Sequence, residues 1–312
     1  MITKGGKEAK IMKDNARAMV KASLAADSLA LGVHWIYDAE KIKSDHGVVD
    51  QLTAPGPDSY HPTKKKGDFT HYGDQTLVLL RSVANSGRFD PNDFFEQWKA
   101  FFENYNGYFD SATKTTLKNI AQKKGPFDCG SLSNEIAGAA RIPPLILSLY
   151  NHPDQLIEAA RTQTQMTHKD TNTVDAAVFF SLLVVECLKG TPPSEAMKNL
   201  SQDRFSDSPI SMWTQQGLDA ADQESVPTII RFGQSCSILD AFSGIVQVIT
   251  RHEHDLSGAV IQSVMAGGDN AARAAIVAMV LAAYTGLDDK TREWAEGLNQ
   301  KETISACLEK IV

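Results

Sequence analysis

Residues 267–285 read GGDNAARAAIVAMVLAAYT, and this stretch decides the fold. The stretch opens with two glycines and two polar residues. Alanine and branched apolar residues then occupy nearly every position of 271–285. A helix that is apolar on all faces is stable only when other elements surround it. The sequence therefore predicts a core helix over 271–285, and a similar run over 16–31, ARAMVKASLAADSLAL, predicts a second buried helix.

Helical patterns continue through most of the chain. Asp90 followed by Pro91 indicates an N-cap with proline at the first helical position. The segment 171–189 predicts a long apolar helix that ends at Gly190. Further helices are predicted over 153–166, 238–251 and 256–265. Alternating patterns of β-branched residues are scarce, so the sequence predicts an all-α fold in a single domain.

Composition and charge exclude several classes of protein. The chain has 312 residues, a net charge of −7 and a pI near 5.6, which argues against a protein that binds nucleic acid or an anionic membrane. The apolar run over 274–284 is shorter than the roughly 20 residues that cross a bilayer, and the first residues carry no signal-peptide core. The four cysteines form no CxxC pair, which indicates reduced thiols. We expect a cytoplasmic protein with no nucleic-acid or membrane partner.

Two aspartates stand in similar polar openings of apolar helices. They are Asp74, in THYGDQTL (70–77), and Asp269, in GGDNAARAA (267–275). Taken singly, each is predicted to open a helix, where a carboxylate accepts backbone N–H bonds and complements the helix dipole. Taken together, they predict two halves of one site. The segment 41–73 has no helical pattern, and a loop that long in a compact domain is often functional.

Six segments, in chain order, resemble motifs of the ADP-ribosylglycohydrolase family. They are SLAADSLALG (23–32) for the small-residue motif near the N-terminus, YGDQTLVLL (72–80) for TDDT, GYFDSATKTTL (107–117) for GYG, GAARIPP (138–144) for the arginine–proline stretch, MTHKDTNTVDAA (166–177) for TH, and GGDNAARAA for GGDTDT. The segments HWIYD and FTHYGDQT resemble a divergent branch of this family, which includes selenoprotein J and the lens crystallins of box jellyfish.

The resemblance implies one compact all-α domain across 1–312, with a core of about 16–300 and a central cleft. Members of the family hold two Mg²⁺ or Mn²⁺ ions in this cleft and cleave the glycosidic bond between ADP-ribose and a protein side chain. The implied function is hydrolysis of ADP-ribosyl N- or O-glycosidic bonds, with ADP-ribose or an ADP-ribosylated substrate as the partner. The implied substrate-binding residues are Tyr108, Thr167, His168, Gly267 and Gly268.

The segments that would hold the metal ions depart from the family pattern. Asp74 and Asp269 remain as metal-ligand candidates, but Gln75 and Ala271 stand where the family has further aspartates. Gln75 and Asn270 are weak ligand candidates, because an amide can coordinate only through its carbonyl oxygen. Two carboxylates do not neutralise the four positive charges of two dications in a cleft. We therefore expect fewer than two Mg²⁺ or Mn²⁺ ions, or none.

The sequence offers more than one candidate for the catalytic group. His34, in GVHWIYD, and His71, in FTHYGD, are candidates for acid–base chemistry because histidine titrates near neutral pH, and each is also explained as a structural histidine. Arg141 is expected to pair with an internal acid such as Asp27, or with a diphosphate. Three hypotheses follow: a hydrolase with an altered metal site, a non-catalytic ligand-binding or crystallin-like structural protein, and a metal-free hydrolase that uses His34 or His71.

Overall fold

The computed structural model describes residues 4–311, which form helices joined by loops. The α-helices are α1 (Lys4–Ala30), α2 (Ala39–His46), α3 (His71–Ser86), α4 (Pro91–Glu103), α5 (Ser111–Ala121), α6 (Ala137–Ala140), α7 (Pro143–Leu149), α8 (Pro153–Gln165), α9 (Thr171–Leu188), α10 (Pro193–Asp203), α11 (Pro209–Asp219), α12 (Ser225–Phe232), α13 (Ile238–Arg251), α14 (Leu256–Met265), α15 (Asn270–Thr285), α16 (Asp289–Glu296) and α17 (Lys301–Lys310). Over residues 4–311 the β-structure consists of two isolated bridges without a strand. The prediction of an all-α fold is confirmed.

Helix α15 is the centre of the fold. Residues 270–283 are all buried, and the helix packs against α1, α9, α13 and α14. Its many alanines let the neighbouring helix axes approach closely, while each fully buried residue such as Leu281 contributes about 1.5–3 kcal/mol of hydrophobic stabilisation. Asn15 of α1 donates to the carbonyls of Ala283 and Tyr284 at 3.2 and 3.4 Å, which supplies partners for the last turn of α15. Both predicted core helices are present.

Helix α9 lies beside α15 and is also enclosed. It packs against α8, α10 and α15. By its length and composition, this helix is long and apolar enough to cross a membrane. The expectation of no membrane segment rested on the run over 274–284 and did not consider this helix. However, 78% of α9 is buried by the rest of the protein, as a core helix would be, so the match is weak evidence for a membrane span.

The predicted irregular segment over 41–73 contains a helix at its start. Helix α2 begins after Asp38, whose side chain accepts a hydrogen bond from Lys41 N, and only Ile42 of this helix is buried. The sequence of α2 shows no apolar periodicity, because this helix lies on the surface and buries one residue, Ile42. The irregular part is therefore residues 47–70, which lead directly into α3.

The two aspartates at the starts of α3 and α15 do not cap these helices. Asp74 lies in the first turn of α3 and Asp269 at the N-cap position of α15, but neither accepts a capping hydrogen bond. Thr70 caps α3 instead, and Asp27 of α1 accepts from Thr70 N at 2.8 Å and Gly73 N at 3.2 Å. Both aspartates stand where a helix opens, as predicted, but the prediction that their side chains accept backbone N–H bonds there is wrong; at α3, Thr70 and Asp27 supply the acceptors.

Close packing of α11 on α13 gives a test of the core. A Cβ added at Gly217 would lie 2.5 Å from Val246 Cβ and 2.7 Å from Ser243 O. We expect Gly217→Ala to lower the free energy of unfolding by about 1–3 kcal/mol, measured by urea denaturation, because two helix backbones must separate. Gly244→Ala is the control, since its Cβ would meet Ile229 at an ordinary 3.5 Å. Equal stabilities of the two variants would contradict this packing.

Candidate functional site

The candidate site lies where the segment after α1 meets the N-terminal end of α15. Gly268 N donates to Ile36 O at 2.8 Å, and Trp35 N donates to Gly268 O at 3.0 Å. Gly267 and Gly268 have φ of 69° and 66°, and a Cβ on Gly267 would collide with the Ile36 carbonyl oxygen. The predicted substrate-binding glycines thus hold the backbone that presents His34 and Trp35. Trp35 itself has φ of 64°, which is uncommon for a bulky residue.

Three histidines form a buried cluster at this junction. His34 follows α1, His61 belongs to the irregular segment and His71 opens α3. Their ring centroids lie 5.3–6.1 Å apart, and His61 Nε2 lies 3.2 Å from His71 Nδ1 in a hydrogen bond. One ring nitrogen from each histidine lies within 4.8 Å of the others, a spacing that a metal ion could bridge. Sequence reasoning found His34 and His71 but missed His61.

Asn270 sets the orientation of His34. Its Oδ1 lies 3.0 Å from His34 Nδ1, while its Nδ2 donates to Val33 O and Val264 O. The amide oxygen must therefore accept from the histidine, so Nδ1 carries the proton and Nε2 has a free electron pair. His34 Nε2 lies 3.8 Å from Asp269 Oδ1, and neither atom has a hydrogen-bond partner.

Burial controls the charges of the cluster. It lowers the pKa of His34 and His71 well below the usual value and that of His61 to about 4, and neighbouring positive charges lower these pKa values further. The three imidazoles are therefore neutral near pH 7. A neutral imidazole can accept a proton or coordinate a metal ion, whereas a charged one can do neither.

Asp269 is the carboxylate nearest the histidines. Its Oδ2 accepts from Tyr72 Oη at 3.2 Å, and its Oδ1 is buried without a partner. Arg273, one turn along α15, donates to Ser263 O and Gly267 O, so the charge of Arg273 acts on Asp269 without a hydrogen bond. Burial raises the pKa of Asp269 to about 7, and the charge of Arg273 opposes this shift. Asp269 can therefore exchange a proton near neutral pH.

An aromatic cavity of about 250 Å³ opens beside the cluster. Its aromatic residues are Trp35, Tyr37, Tyr60, Tyr72 and Tyr108, and its carboxylates are those of Asp110 and Glu135. Trp35 stacks on His34 with ring centroids 4.4 Å apart and meets Tyr108 edge-on at 4.8 Å, so it connects His34 to the cavity wall. The predicted substrate-binding residue Tyr108 therefore lines a cavity that can take a ring-shaped ligand.

The two carboxylates of the cavity contact histidines. Asp110 Oδ2 lies 3.4 Å from His71 Nε2, and Asp110 Oδ1 caps α5. Glu135 Oε2 lies 3.6 Å from His168 Nε2 and has no hydrogen-bond partner. Neither acid was predicted from the sequence, because Asp110 resembles an ordinary N-cap and Glu135 stands in no motif. Their proximity to the cavity arises only from the fold.

Asp74 lines a second cavity, whose lining does not include Asp269. Its Oδ2 accepts a short hydrogen bond from Lys64 Nζ and another from Tyr105 Oη at 2.6 Å. These groups line a cavity of about 340 Å³ on the other side of α3. The structure thus gives Asp74 and Asp269 separate partners and does not bring them into contact. A shared role of the two in metal binding stays a prediction.

Arg141 joins the arginine–proline stretch to the start of α3. It donates to Gln75 Oε1, Gln163 Oε1 and Thr167 Oγ1, each at 2.6 Å. The expected partner Asp27 instead accepts from Thr70 and Gly73, so that pairing is wrong. The buried guanidinium is satisfied by neutral oxygens, and burial lowers its pKa to about 10, which still leaves it charged at neutral pH.

The Thr167–His168 pair belongs to the same polar network. Thr167 Oγ1 lies 2.8 Å from His168 Nδ1 and also accepts from Arg141. The helix that follows, α9, is capped by Asp170, so these two side chains do not cap it. The chain of contacts from Arg141 through Thr167 and His168 ends at Glu135 on the cavity wall. Thr167 and His168 therefore lie behind the cavity.

The buried Asp27 carboxyl gives a pH test of how α3 is held. Burial raises its pKa from 3.8 to about 7, so the folded protein retains a proton that the unfolded chain loses. The contribution of Asp27 to the free energy of unfolding should therefore fall as the pH rises from about 4 to about 7. Asp27→Asn cannot ionise, and over this range its stability relative to wild type should rise by a few kcal/mol, about 1.4 for each pKa unit.

Urea denaturation at several pH values measures this difference. Asp14→Asn, at an exposed position of α1, is the matched control and should follow the wild-type pH dependence. Parallel pH profiles for Asp27→Asn and wild type would contradict the assignment.

Comparison with known proteins identifies the family. The family model described as ADP-ribosylglycohydrolase matches residues 8–312. Crystallin J1A of Tripedalia cystophora is 23% identical over 315 residues, with 96% of each chain covered, and crystallin J1B of the same animal is 24% identical over 304 residues, with 91% of each covered. A solved structure described as an ADP-ribosylglycohydrolase-related protein complex superimposes with a TM-score of 0.75 at 20% identity, over 97% of this chain and 98% of that chain.

These matches cover nearly the whole chain. The likeness to the solved structure, at 20% identity, concerns the fold alone. The family model itself spans every helix that contributes to the histidine cluster and the aromatic cavity. The chain belongs to the ADP-ribosylglycohydrolase family.

Proposed function

We propose that this protein hydrolyses a ribosyl glycosidic bond, of the ADP-ribosyl N- or O-linked class, in the aromatic cavity. The observation that carries the proposal is the pairing of an aromatic wall with two carboxylates, those of Asp110 and Glu135, in one small cavity. Membership of the ADP-ribosylglycohydrolase family supports the same class of substrate. Polar residues directed into an aromatic pocket are typical of a ligand site.

The aromatic wall suits a sugar or a base. Trp35, Tyr60 and Tyr108 meet edge-on, with centroids 4.8–5.7 Å apart, so each ring is fixed by its neighbours. Rings fixed in this way offer faces and edges to a ribose or an adenine without the entropy cost of ordering them on binding.

The acids supply the chemistry of glycosidic cleavage. Such hydrolysis needs one group that protonates the leaving atom and another that takes a proton from water or stabilises the developing positive charge on the sugar. Glu135 lines the cavity, and its buried Oε2 has no hydrogen-bond partner and lies 3.6 Å from His168 Nε2. Glu135 is therefore the proposed proton-transfer group. Asp110, which caps α5 and lies near His71, is proposed to stabilise the developing positive charge on the sugar.

Of the four oxygen ligands expected for Mg²⁺ or Mn²⁺, three are used elsewhere in this protein, and only Asp269 keeps an oxygen, Oδ1, without a partner. Gln75 Oε1 accepts from Trp98 and Arg141, Asn270 Oδ1 accepts from His34, and the Asp74 carboxylate is bound by Lys64. Hard ions of this kind need several oxygen ligands, often carboxylates, at one point. The residues present do not fit such a pair of ions, and no step of the proposed reaction passes through them.

The role of Glu135 is testable by substitution. We expect Glu135→Gln to lower kcat on an ADP-ribosylated arginine or serine peptide by about 10²–10⁴-fold, because the amide cannot transfer a proton. Affinity for ADP-ribose should change little, since the shape of the wall is kept. Glu103→Gln, at the exposed end of α4, is the control. Unchanged turnover in Glu135→Gln would remove this residue from the mechanism.

The aromatic wall is testable by ligand binding alone. We expect Tyr108→Ala to weaken ADP-ribose binding by about 1–3 kcal/mol in calorimetric titration, the usual worth of one aromatic stack on a base. Phe127→Ala, at an aromatic residue 58% exposed and outside this cavity, should bind like wild type. Equal losses in both variants would place the ligand elsewhere.

A second candidate function is that of a non-catalytic ligand-binding or structural protein. The observation that favours it is the similarity to crystallins J1A and J1B over nearly their whole length. ADP-ribose binding without turnover, on arginine-, serine- and acetyl-linked substrates with several divalent ions, would favour this candidate. Turnover that Glu135→Gln abolishes would exclude it.

A further inference from the structure

We propose that His34, His61 and His71 form a binding site for one transition-metal dication of the zinc class, with Asp269 as the adjacent carboxylate. This inference deepens the proposed function and rests on it for the role of the metal in the chemistry of the cleft. Metal binding itself is measured separately from turnover. A three-histidine site differs in donor type from the oxygen ligands expected for Mg²⁺ or Mn²⁺.

The positions of the nitrogens carry the proposal. Two ligands about 2.0–2.1 Å from a tetrahedral zinc ion lie about 3.4 Å apart. His61 Nε2 and His71 Nδ1 are 3.2 Å apart, and His34 Nε2 and Asp269 Oδ1 are 3.8 Å apart. All three histidines therefore need only small movements to reach one ion, since one nitrogen from each already lies within 4.8 Å of the others.

Unpaired buried atoms support the same point. His34, His61 and His71 are each at most 4% exposed. His61 Nε2 and His71 Nδ1 share a hydrogen bond with each other, whereas His34 Nε2 and Asp269 Oδ1 are buried without a hydrogen-bond partner. These two unpaired atoms lie 3.8 Å apart and are explained if an ion or its bound water supplies the missing partner.

The surroundings fix the rings as metal ligands are usually fixed. A metal-bound histidine generally donates its other ring N–H to a carbonyl or carboxylate. Asn270 Oδ1 accepts from His34 Nδ1 at 3.0 Å, which leaves His34 Nε2 free to coordinate. Asp110 Oδ2 lies 3.4 Å from His71 Nε2 and would play the same part when His71 Nδ1 coordinates.

Charge balance is available at the site. Three neutral imidazoles leave the two positive charges of the ion uncompensated, and an unpaired buried charge is costly. Asp269 on α15 and Asp110 before α5 face the cluster and can offset them. Lys64, the nearest lysine, is already paired with Asp74, and Arg273 donates to backbone carbonyls.

The donor set selects the class of ion. Imidazole nitrogen suits Zn²⁺ and its neighbours such as Co²⁺ and Ni²⁺, whereas Mg²⁺ takes oxygen. Three histidines with a further position open are the donor set of catalytic zinc sites, in which the ion holds a water molecule. Asp269 Oδ1, which is unpaired and lies 3.8 Å from His34 Nε2, would be available to accept a hydrogen bond from such a water.

The experiment is calorimetric titration of chelator-treated protein with Zn²⁺, Co²⁺ and Mg²⁺, followed by X-ray absorption of the Zn²⁺ and Co²⁺ forms. We expect one Zn²⁺ or Co²⁺ per chain, a Kd for Mg²⁺ at least about 100-fold weaker, and three imidazole ligands in the absorption spectrum. No Zn²⁺ or Co²⁺ binding by the wild-type protein, or a spectrum with only oxygen ligands, would overturn the proposal.

Variants locate the ion. His34→Ala, His61→Ala and His71→Ala should each weaken Zn²⁺ binding by about 100-fold or more, and Asp110→Asn should weaken it by about 10–100-fold while the three imidazole ligands remain. His152→Ala, an exposed histidine before α8, is the control and should bind as wild type. Thermal unfolding of each variant without metal shows whether it is folded. If folded His61→Ala and His71→Ala variants bind Zn²⁺ like wild type, the site is wrong.

The two proposals fail in different ways. Zn²⁺ bound by three imidazoles in a protein with no turnover on any ribosylated substrate would keep the metal site and remove the hydrolase function. Turnover that is unaffected by chelators in a protein that does not bind Zn²⁺ or Co²⁺ would keep the hydrolase function and remove the metal site.

Discussion

The backbone contact between the segment after α1 and the glycine turn before α15 is the constraint on which the site depends. Two hydrogen bonds, Gly268 N to Ile36 O and Trp35 N to Gly268 O, fix this junction. They require glycines in the left-handed region, because a side chain on either glycine would meet backbone atoms. With that contact made, His34 and Trp35 lie at fixed positions relative to Asp269 and to the start of α3. The cavity and the histidine cluster both follow from it.

The interior of this cleft separates its charges into independent groups. Asp74 is paired with Lys64 in one cavity, whereas Asp269 faces neutral histidines near the other. Arg141 is satisfied by neutral oxygens and so does not bind a carboxylate directly. Because charges at low dielectric interact strongly, this separation leaves the carboxylate of Asp269 uncompensated by any hydrogen-bonded cation. The uncompensated carboxylate beside the unpaired Nε2 of His34 is the electrostatic observation that supports the proposed metal site.

The motif match at α3 keeps one of the two aspartates of the family motif, Asp74. YGDQTLVLL was matched to TDDT through the letter of Asp74. In the structure the residues of α3 that face Asp269 lie earlier, at Tyr72 and His71, after the capping Thr70. A shared letter does not show which side chains at a helix start face a site, because that depends on the direction in which each side chain leaves the helix.

The sequence by itself determined the all-α fold, the core helices α1, α9 and α15, and the family, because apolar periodicity and motif order are local properties of the chain. It also indicated His34 and His71 as candidates. The tertiary structure alone decided that His61 joins them, that Asp110 and Glu135 line the cavity, and that Asp74 faces elsewhere. The physical reason is that a site depends on distances between side chains far apart in sequence, and only packing sets those distances.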